Sequence, residues 1–191
     1  MKLKILLTLL LGAFFCHVHA QWNEFPIDQG SLLRNISVLD DNALWAADQM
    51  GNEFSISLDG GETWSTKAYP EKISGDGNYP GGFCAVDAST AYVVVAGNEK
   101  GIYKTNDSGD SWTKHSTAFS DPNAYPCFVY FWNKDTGVVV GDANPYEYFE
   151  IYTSHNGGAD WDRVPTTDMP GGNYGWTFAS NNSFRVHGSN F

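Results

Sequence analysis

Short apolar runs separated by polar turns recur along the chain in groups of three. The first group covers residues 36–39, 44–47 and 53–57, the second 83–86, 92–96 and 101–105, and the third 128–132, 137–141 and 149–154. Valine, isoleucine and aromatic residues dominate these runs, and Gly, Asn, Asp and Ser bound them, which is the pattern of strands rather than helices. A turn follows the last run of each group, and a fourth strand is expected to open at Trp64, Trp112 or Trp161.

The turns themselves repeat. Ser57, Asp59, Gly61 and Trp64 recur as Thr105, Asp107, Gly109 and Trp112, and again as Ser154, Asn156, Gly158 and Trp161, with the tryptophans 48 and 49 residues apart. The spacing has a local chemistry. Asp or Asn accepts hydrogen bonds from backbone N–H groups just downstream, Gly supplies the positive φ that closes a hairpin, and Trp opens the returning strand with a large apolar face. A catalytic reading of Asp59 and Asp107 is set aside because Asn156, which does not ionise, holds the same place. Four antiparallel strands in a repeat of about 40–50 residues make the blade of a β-propeller.

The expected fold class is therefore all-β, with blades at about residues 33–70, 82–118 and 127–166. Aligning 131–141 with 178–188 puts part of a further blade at 175–191, and residues 21–27 resemble a lone outer strand. Closed propellers have about 4–8 blades, so an incomplete propeller of about three and a half four-stranded blades is expected, with more blades in a longer protein.

The pattern Ser/Thr-x-Asp-x-Gly-x-x-Trp resembles the Asp-box, or bacterial neuraminidase repeat, of sialidases, sortilin-type receptors, xyloglucanases and photosystem II assembly-factor-like propellers. Residues 136–142 followed by 149–154 are most similar to multi-blade propellers exported by type IX secretion, whose cargoes usually end in a sorting domain. The resemblance implies further blades or such a domain in a full-length protein. It implies architecture more than activity, because enzymes and non-enzymes share the box.

Residues 1–20 read differently. Lys2 and Lys4 precede an apolar run to Phe15, and the segment ends on a small residue, as a secretory signal cleaved between Ala20 and Gln21 does. The run is shorter than the roughly 20 apolar residues that a transmembrane helix needs. Export to the periplasm, cell surface or medium is expected. Cys84 and Cys127 fall on the innermost strands of neighbouring blades, which leaves open both a disulfide and a pair of buried thiols. With 42% hydrophobic and 17% charged residues the chain is too apolar for disorder. Asp and Glu outnumber Lys and Arg 22 to 11, and the basic residues are scattered, so nucleic acid is not an expected partner.

In a blade, the loops between strands two and three lie at the same end as the connections between blades, opposite the stapled turns. That end supplies the candidate ligand face: Tyr79, Tyr125, Asp142, Tyr146, Glu147, Tyr148 and Tyr174. Rings beside amides and carboxylates suit stacking on sugars or anchoring a protein, and equally suit plugging gaps between blades. Asp142, Glu147 and Glu150 cluster oxygen atoms but match no defined calcium loop, so neither metal nor cofactor is expected.

The sialidase resemblance implies three convergent arginines, whereas Arg34, Arg163 and Arg185 stand in dissimilar settings. Glycosidases need two carboxylates facing across a cleft, and no nucleophile, zinc or phosphate-loop constellation offers another chemistry. No catalytic residue is assigned. The leading expectation is a secreted or cell-surface propeller domain binding an unknown protein or glycan without catalysis. The alternative is the N-terminal fragment of a secreted glycoside hydrolase, xyloglucanase- or sialidase-like.

Overall fold

A computed structural model describes residues 33–48, 52–115, 118–142 and 148–168, together with Ile27. The expected signal segment with its Ala20–Gln21 cleavage point, the rest of the outer strand at 21–27, the partial blade at 175–191, and Tyr146, Glu147 and Tyr174 lie outside the described residues.

The first four strands are β1 (Leu33–Val38), β2 (Leu44–Asp48), β3 (Glu53–Ser57) and β4 (Ser65–Ala68). After one helical turn, α1 (Glu71–Ser74), come β5 (Asn78–Ala85), β6 (Ala91–Gly97), β7 (Gly101–Thr105) and β8 (Thr113–His115). The last four are β9 (Pro126–Phe131), β10 (Gly137–Gly141), β11 (Glu150–Ser154) and β12 (Asp162–Arg163), followed by a 3-10 turn at Thr166–Asp168. They pair antiparallel in sequence order as three four-stranded sheets. The described residues are thus three blades of an incomplete all-β propeller.

Each blade is pinned at one end by two turns that bond to each other. In the β3–β4 turn of the first blade, Asp59 Oδ1 accepts from Ser57 Oγ at 2.8 Å and from Thr63 N at 2.9 Å, and Ser57 Oγ accepts from Gly61 N at 2.8 Å. The second blade repeats this geometry around Asp107, with Thr105 Oγ1 at 2.7 Å and Ser111 N at 2.9 Å. In the third, Asn156 Oδ1 accepts from Ser154 Oγ and Asp160 N, each at 3.0 Å.

The β1–β2 turns carry a second repeat, which the sequence reading did not single out. Asp40, Asp87 and Asn133 each accept from two backbone N–H groups two and three residues on, at 2.7–2.9 Å. The two turns then join: Gly60 N donates to Asn42 O, Ser108 N to Ser89 O and Gly157 N to Asp135 O. A short polar side chain that mimics a backbone turn makes each hairpin end self-contained.

The middle strand of the middle blade shows how the blades pack. Every residue of β6 from Ala91 to Ala96 is buried. Ala91, Val93 and Val95 face the first blade, joining Trp45, Phe54 and Trp112 in one cluster. Tyr92 and Val94 face the third blade, joining Phe131, Tyr152 and Trp161 in another. The alternation of strand side chains between faces makes one apolar run serve two interfaces. At the second interface Tyr92 stacks on Phe131 at 3.8 Å between centroids, and its hydroxyl donates to Gly157 O at 3.0 Å. The innermost strands β1, β5 and β9 line a cavity of about 400 Å³.

One expectation changes, and one alternative left open is decided. β5 starts at Asn78 rather than Phe83 because the chain stays extended through a bulge between Pro80 and Phe83, so Tyr79 stands on a strand instead of a connecting loop. Cys84 and Cys127 are on β5 and β9, the innermost strands of adjacent blades, and both are buried thiols rather than halves of a disulfide. The Cys127 Sγ–H donates to Asp142 Oδ1 at 3.2 Å, and burial pushes the Cys84 thiol up to about 11.

Candidate functional site

The end of the blades away from the stapled turns carries the β2–β3, β6–β7 and β10–β11 loops and the connections between blades. At this end, at the boundary of the second and third blades, lies a pocket of about 420 Å³. Ser120 and Asp121 come from the connection between β8 and β9, Tyr148 from the approach to β11, Glu150 and Tyr152 from β11, Arg163 from β12, and Thr166 from the 3-10 turn.

Local chain geometry sets these positions. Glu150 and Tyr152 are two apart on one strand and share a face, and Arg163 pairs directly with Tyr152 across the β11–β12 ladder. Tyr152 is held by an edge-on contact with Phe119 at 5.0 Å, so its ring is fixed by the core while its hydroxyl reaches the pocket. The connection carrying Asp121 is tied down where Lys100 Nζ, from the β6–β7 loop, donates to Asp121 O.

Glu150 is the unusual member. It is only 4% exposed, and its Oε2 has no hydrogen-bond partner among the described residues. Its Oε1 lies 3.5 Å from the Tyr152 hydroxyl, at the limit of a hydrogen bond. Burial pushes the Glu150 carboxyl above its usual range and Asp121 adds to the rise, while Arg163, Tyr152 and Lys100 act against it. A buried acceptor left without a donor is costly, so an oxygen of this kind calls for a donor that the described residues do not supply.

The expected face residues distribute unevenly. Tyr148 lines the pocket. Tyr79, 44% exposed, and half-buried Tyr125 form a second group with Asp142, whose backbone N donates to Tyr125 O at 2.9 Å. Burial pushes the Tyr125 hydroxyl up, with Cys127, Asp142 and Tyr79 adding to it. Asp142 is buried. Among the described residues no group of three or more His, Cys, Asp or Glu is placed to hold a metal ion. No helix among them is long and apolar enough to cross a membrane.

Asp121 and Tyr152 escape a sequence reading because one lies in a connection and the other reads as an ordinary core tyrosine. Arg163 stands out in the sequence only as one of three scattered arginines. Their convergence depends on the β8–β9 connection crossing the third blade, which no spacing along the chain displays.

The chain matches no known family profile. A xyloglucanase from Paenibacillus sp is 30% identical over 133 residues, which are 57% of this chain and 13% of that protein. Among solved structures, YCF48 from Cyanidioschyzon merolae is similar with a TM-score of 0.53 at 21% identity, over 75% of this chain and 43% of its own. YCF48 bound to a D1 peptide gives 0.52 at 16%, over 70% and 40%. A GH74 enzyme of Niastella koreensis gives 0.50 at 18%, over 70% and 22%. The chain spans less than half the length of each of these proteins. At these identities the structural likenesses speak to the fold, a β-propeller.

Proposed function

We propose that this chain is part of an exported β-propeller whose loop face binds a glycan or a segment of another protein without catalysing a reaction. The observation that carries the reading is the pocket between the second and third blades, where charged groups and tyrosines meet beside a buried carboxylate with an unused oxygen. A concave site with a few convergent polar groups and a perturbed acid is the usual form of a ligand site. Export rests on residues 1–20 as a cleaved signal, and the Asp-box, sortilin-type and type IX affinities rest on motif resemblance. The peptide held by YCF48 supports a protein ligand by analogy of fold alone.

The xyloglucanase relative favours a second reading, in which the chain is one region of a glycoside hydrolase and its loop face is a share of a larger polysaccharide site. One experiment separates the two. Purified protein is titrated against immobilised xyloglucan, a panel of other glycans and a random peptide library, and the soluble xyloglucan is assayed for new reducing ends. Saturable binding of a peptide, or of glycans without preference for xyloglucan, with no new reducing ends supports the first reading; binding selective for xyloglucan supports the second. Reducing ends that accumulate with time replace it with the second. Failure of every glycan and peptide to bind overturns both.

A further inference from the structure

We infer that the pocket around Glu150 takes a neutral sugar unit, with the Glu150 carboxylate as the acceptor that fixes one of its hydroxyls. The inference rests on the loop-face reading above and names the ligand class and the anchoring residue.

Three observations converge on it. First, Glu150 is almost wholly buried at the pocket wall and carries an oxygen that no donor among the described residues reaches. Unused buried acceptors are rare in folded proteins, and here the group that repairs the deficit must be a donor. Second, among the described residues the charges acting on that carboxyl balance. Asp121 on the β8–β9 connection joins Glu150 as an acid, and Arg163 on β12 and Lys100 on the β6–β7 loop oppose them. An anionic or cationic ligand would leave one sign in excess in a partly closed site, whereas an uncharged ligand would not. Third, Ser120 and Thr166 add hydroxyls that both donate and accept, and Tyr148 adds a half-buried ring. A sugar offers the complementary set: hydroxyls of both polarities around its edge and an apolar C–H face.

A peptide fits the same place less well. Peptides are usually held by strand addition or by an apolar anchor in a groove. The outer strand here, β12, has two residues, and five of the seven lining residues are Ser, Thr, Asp, Glu or Arg.

A carboxyl kept for a ligand has a second signature, because the free protein bears the cost of a buried oxygen without a donor. Replacing it with an amide should therefore stabilise the fold while weakening the site.

The test uses the full chain and three uncharged or charged tetrasaccharides: cellotetraose as the neutral probe, tetragalacturonate as the anionic one and chitosan tetramer as the cationic one. Binding is followed by calorimetry and by NMR shifts at Tyr148, Tyr152 and Thr166. The neutral probe is expected to bind and to shift those resonances. Glu150→Gln is expected to lower its affinity about tenfold, and to raise the melting temperature by about 2–4 °C. Tyr148→Ala, on the rim, is expected to weaken binding without changing the melting temperature. Preference for either charged probe, or a Glu150→Gln protein that binds cellotetraose as wild type does, overturns the sugar assignment and leaves a loop-face ligand elsewhere intact. Binding of a peptide but of no glycan overturns it too. If the wild-type chain binds none of the probes and no peptide, the loop-face reading falls with it.

Discussion

The three stapled turns use one geometry with two chemistries, and the difference lies in a single pair of side chains. In the first two blades the acid accepts from a hydroxyl four residues on: Thr63 Oγ1 donates to Asp59 Oδ2 at 2.5 Å and Ser111 Oγ to Asp107 Oδ2 at 2.6 Å. In the third blade the position four on is Asp160, and the polarity reverses, with Asn156 Nδ2 donating to Asp160 Oδ2 at 3.0 Å. Asparagine is thus required there because aspartate would face another carboxylate. Asn156→Asp is expected to cost about 1 kcal/mol through the lost hydrogen bond and the like-charge contact. Adding Asp160→Ser should restore most of it, which a double-mutant cycle by urea unfolding would measure; a second substitution that deepens the loss would disprove the pairing. The acids of the first two turns also set an acid limb. Hydrogen bonds from Ser111 and Thr105 hold Asp107 down at about 2, and those from Thr63 and Ser57 hold Asp59 low as well. A carboxyl whose pKa is lower folded than unfolded contributes stability above its unfolded value, and that contribution is lost as pH falls towards the folded value. Asp107→Asn should therefore flatten the fall in melting temperature between about pH 4 and pH 2. Glu150 has the opposite sign. Its raised pKa adds stability at low pH that disappears as pH rises through the folded value, so Glu150→Gln should act on the neutral side and leave the acid limb alone.

At the scale of the element, strands were readable wherever a run ended on a turn-forming side chain. The three groups of runs correspond to β1–β3, β5–β7 and β9–β11, and each fourth strand begins one residue after its tryptophan. The turns of β1–β2 were hidden because Asp40, Asp87 and Asn133 share no tryptophan or glycine to mark the register, although they do the same backbone work as the stapled turns. The sequence pattern makes β5 look short because Pro80 and the two glycines after it signal a break, whereas the bulge absorbs them within the strand. Of the pocket, only Tyr148 and the oxygen-rich cluster that includes Glu150 are legible in the sequence. Its remaining wall comes from a connection and from an outer strand of two residues, which carry no periodicity to read. Elements also meet through the stapled turns. Gly109 has φ +82° and sits against Phe54 of the first blade, so a Cβ there collides with the ring. Gly109→Ala should cost about 3 kcal/mol, from the left-handed backbone and the overpacked aromatic cluster together. The companion variant Phe54→Leu should recover the packing share of that loss and no more; full recovery in chemical denaturation would mean the backbone conformation costs nothing.

For the whole molecule the decisive feature is that blades meet their neighbours through aromatic clusters, with the middle blade taking part in two. Trp45, Phe54, Tyr69 and Trp112 join the first and second blades, their centroids 4.9–5.8 Å apart along successive contacts. Tyr92, Phe131 and Trp161 join the second and third. Strands β5, β6 and β7 each send residues into both clusters, and β6 sends the most, with Ala91 to Ala96 wholly enclosed. Proteins open in cooperative pieces, and a piece held on both sides opens last. Hydrogen exchange should therefore be slowest at β6, with β2 and β10 exchanging sooner. Phe131→Ala removes the ring that Tyr92 stacks on and is expected to cost about 3–5 kcal/mol. If blades are coupled only through such contacts, that loss should fall unevenly: protection should drop most at β10 and β9, less at β6, and least at β2 and β3, because the first interface keeps all of its rings. Mass spectrometry of peptides spanning these strands reads the gradient directly. A uniform loss of protection across all three blades would instead make the described region one indivisible unit, and the blade-by-blade account of its stability would be wrong.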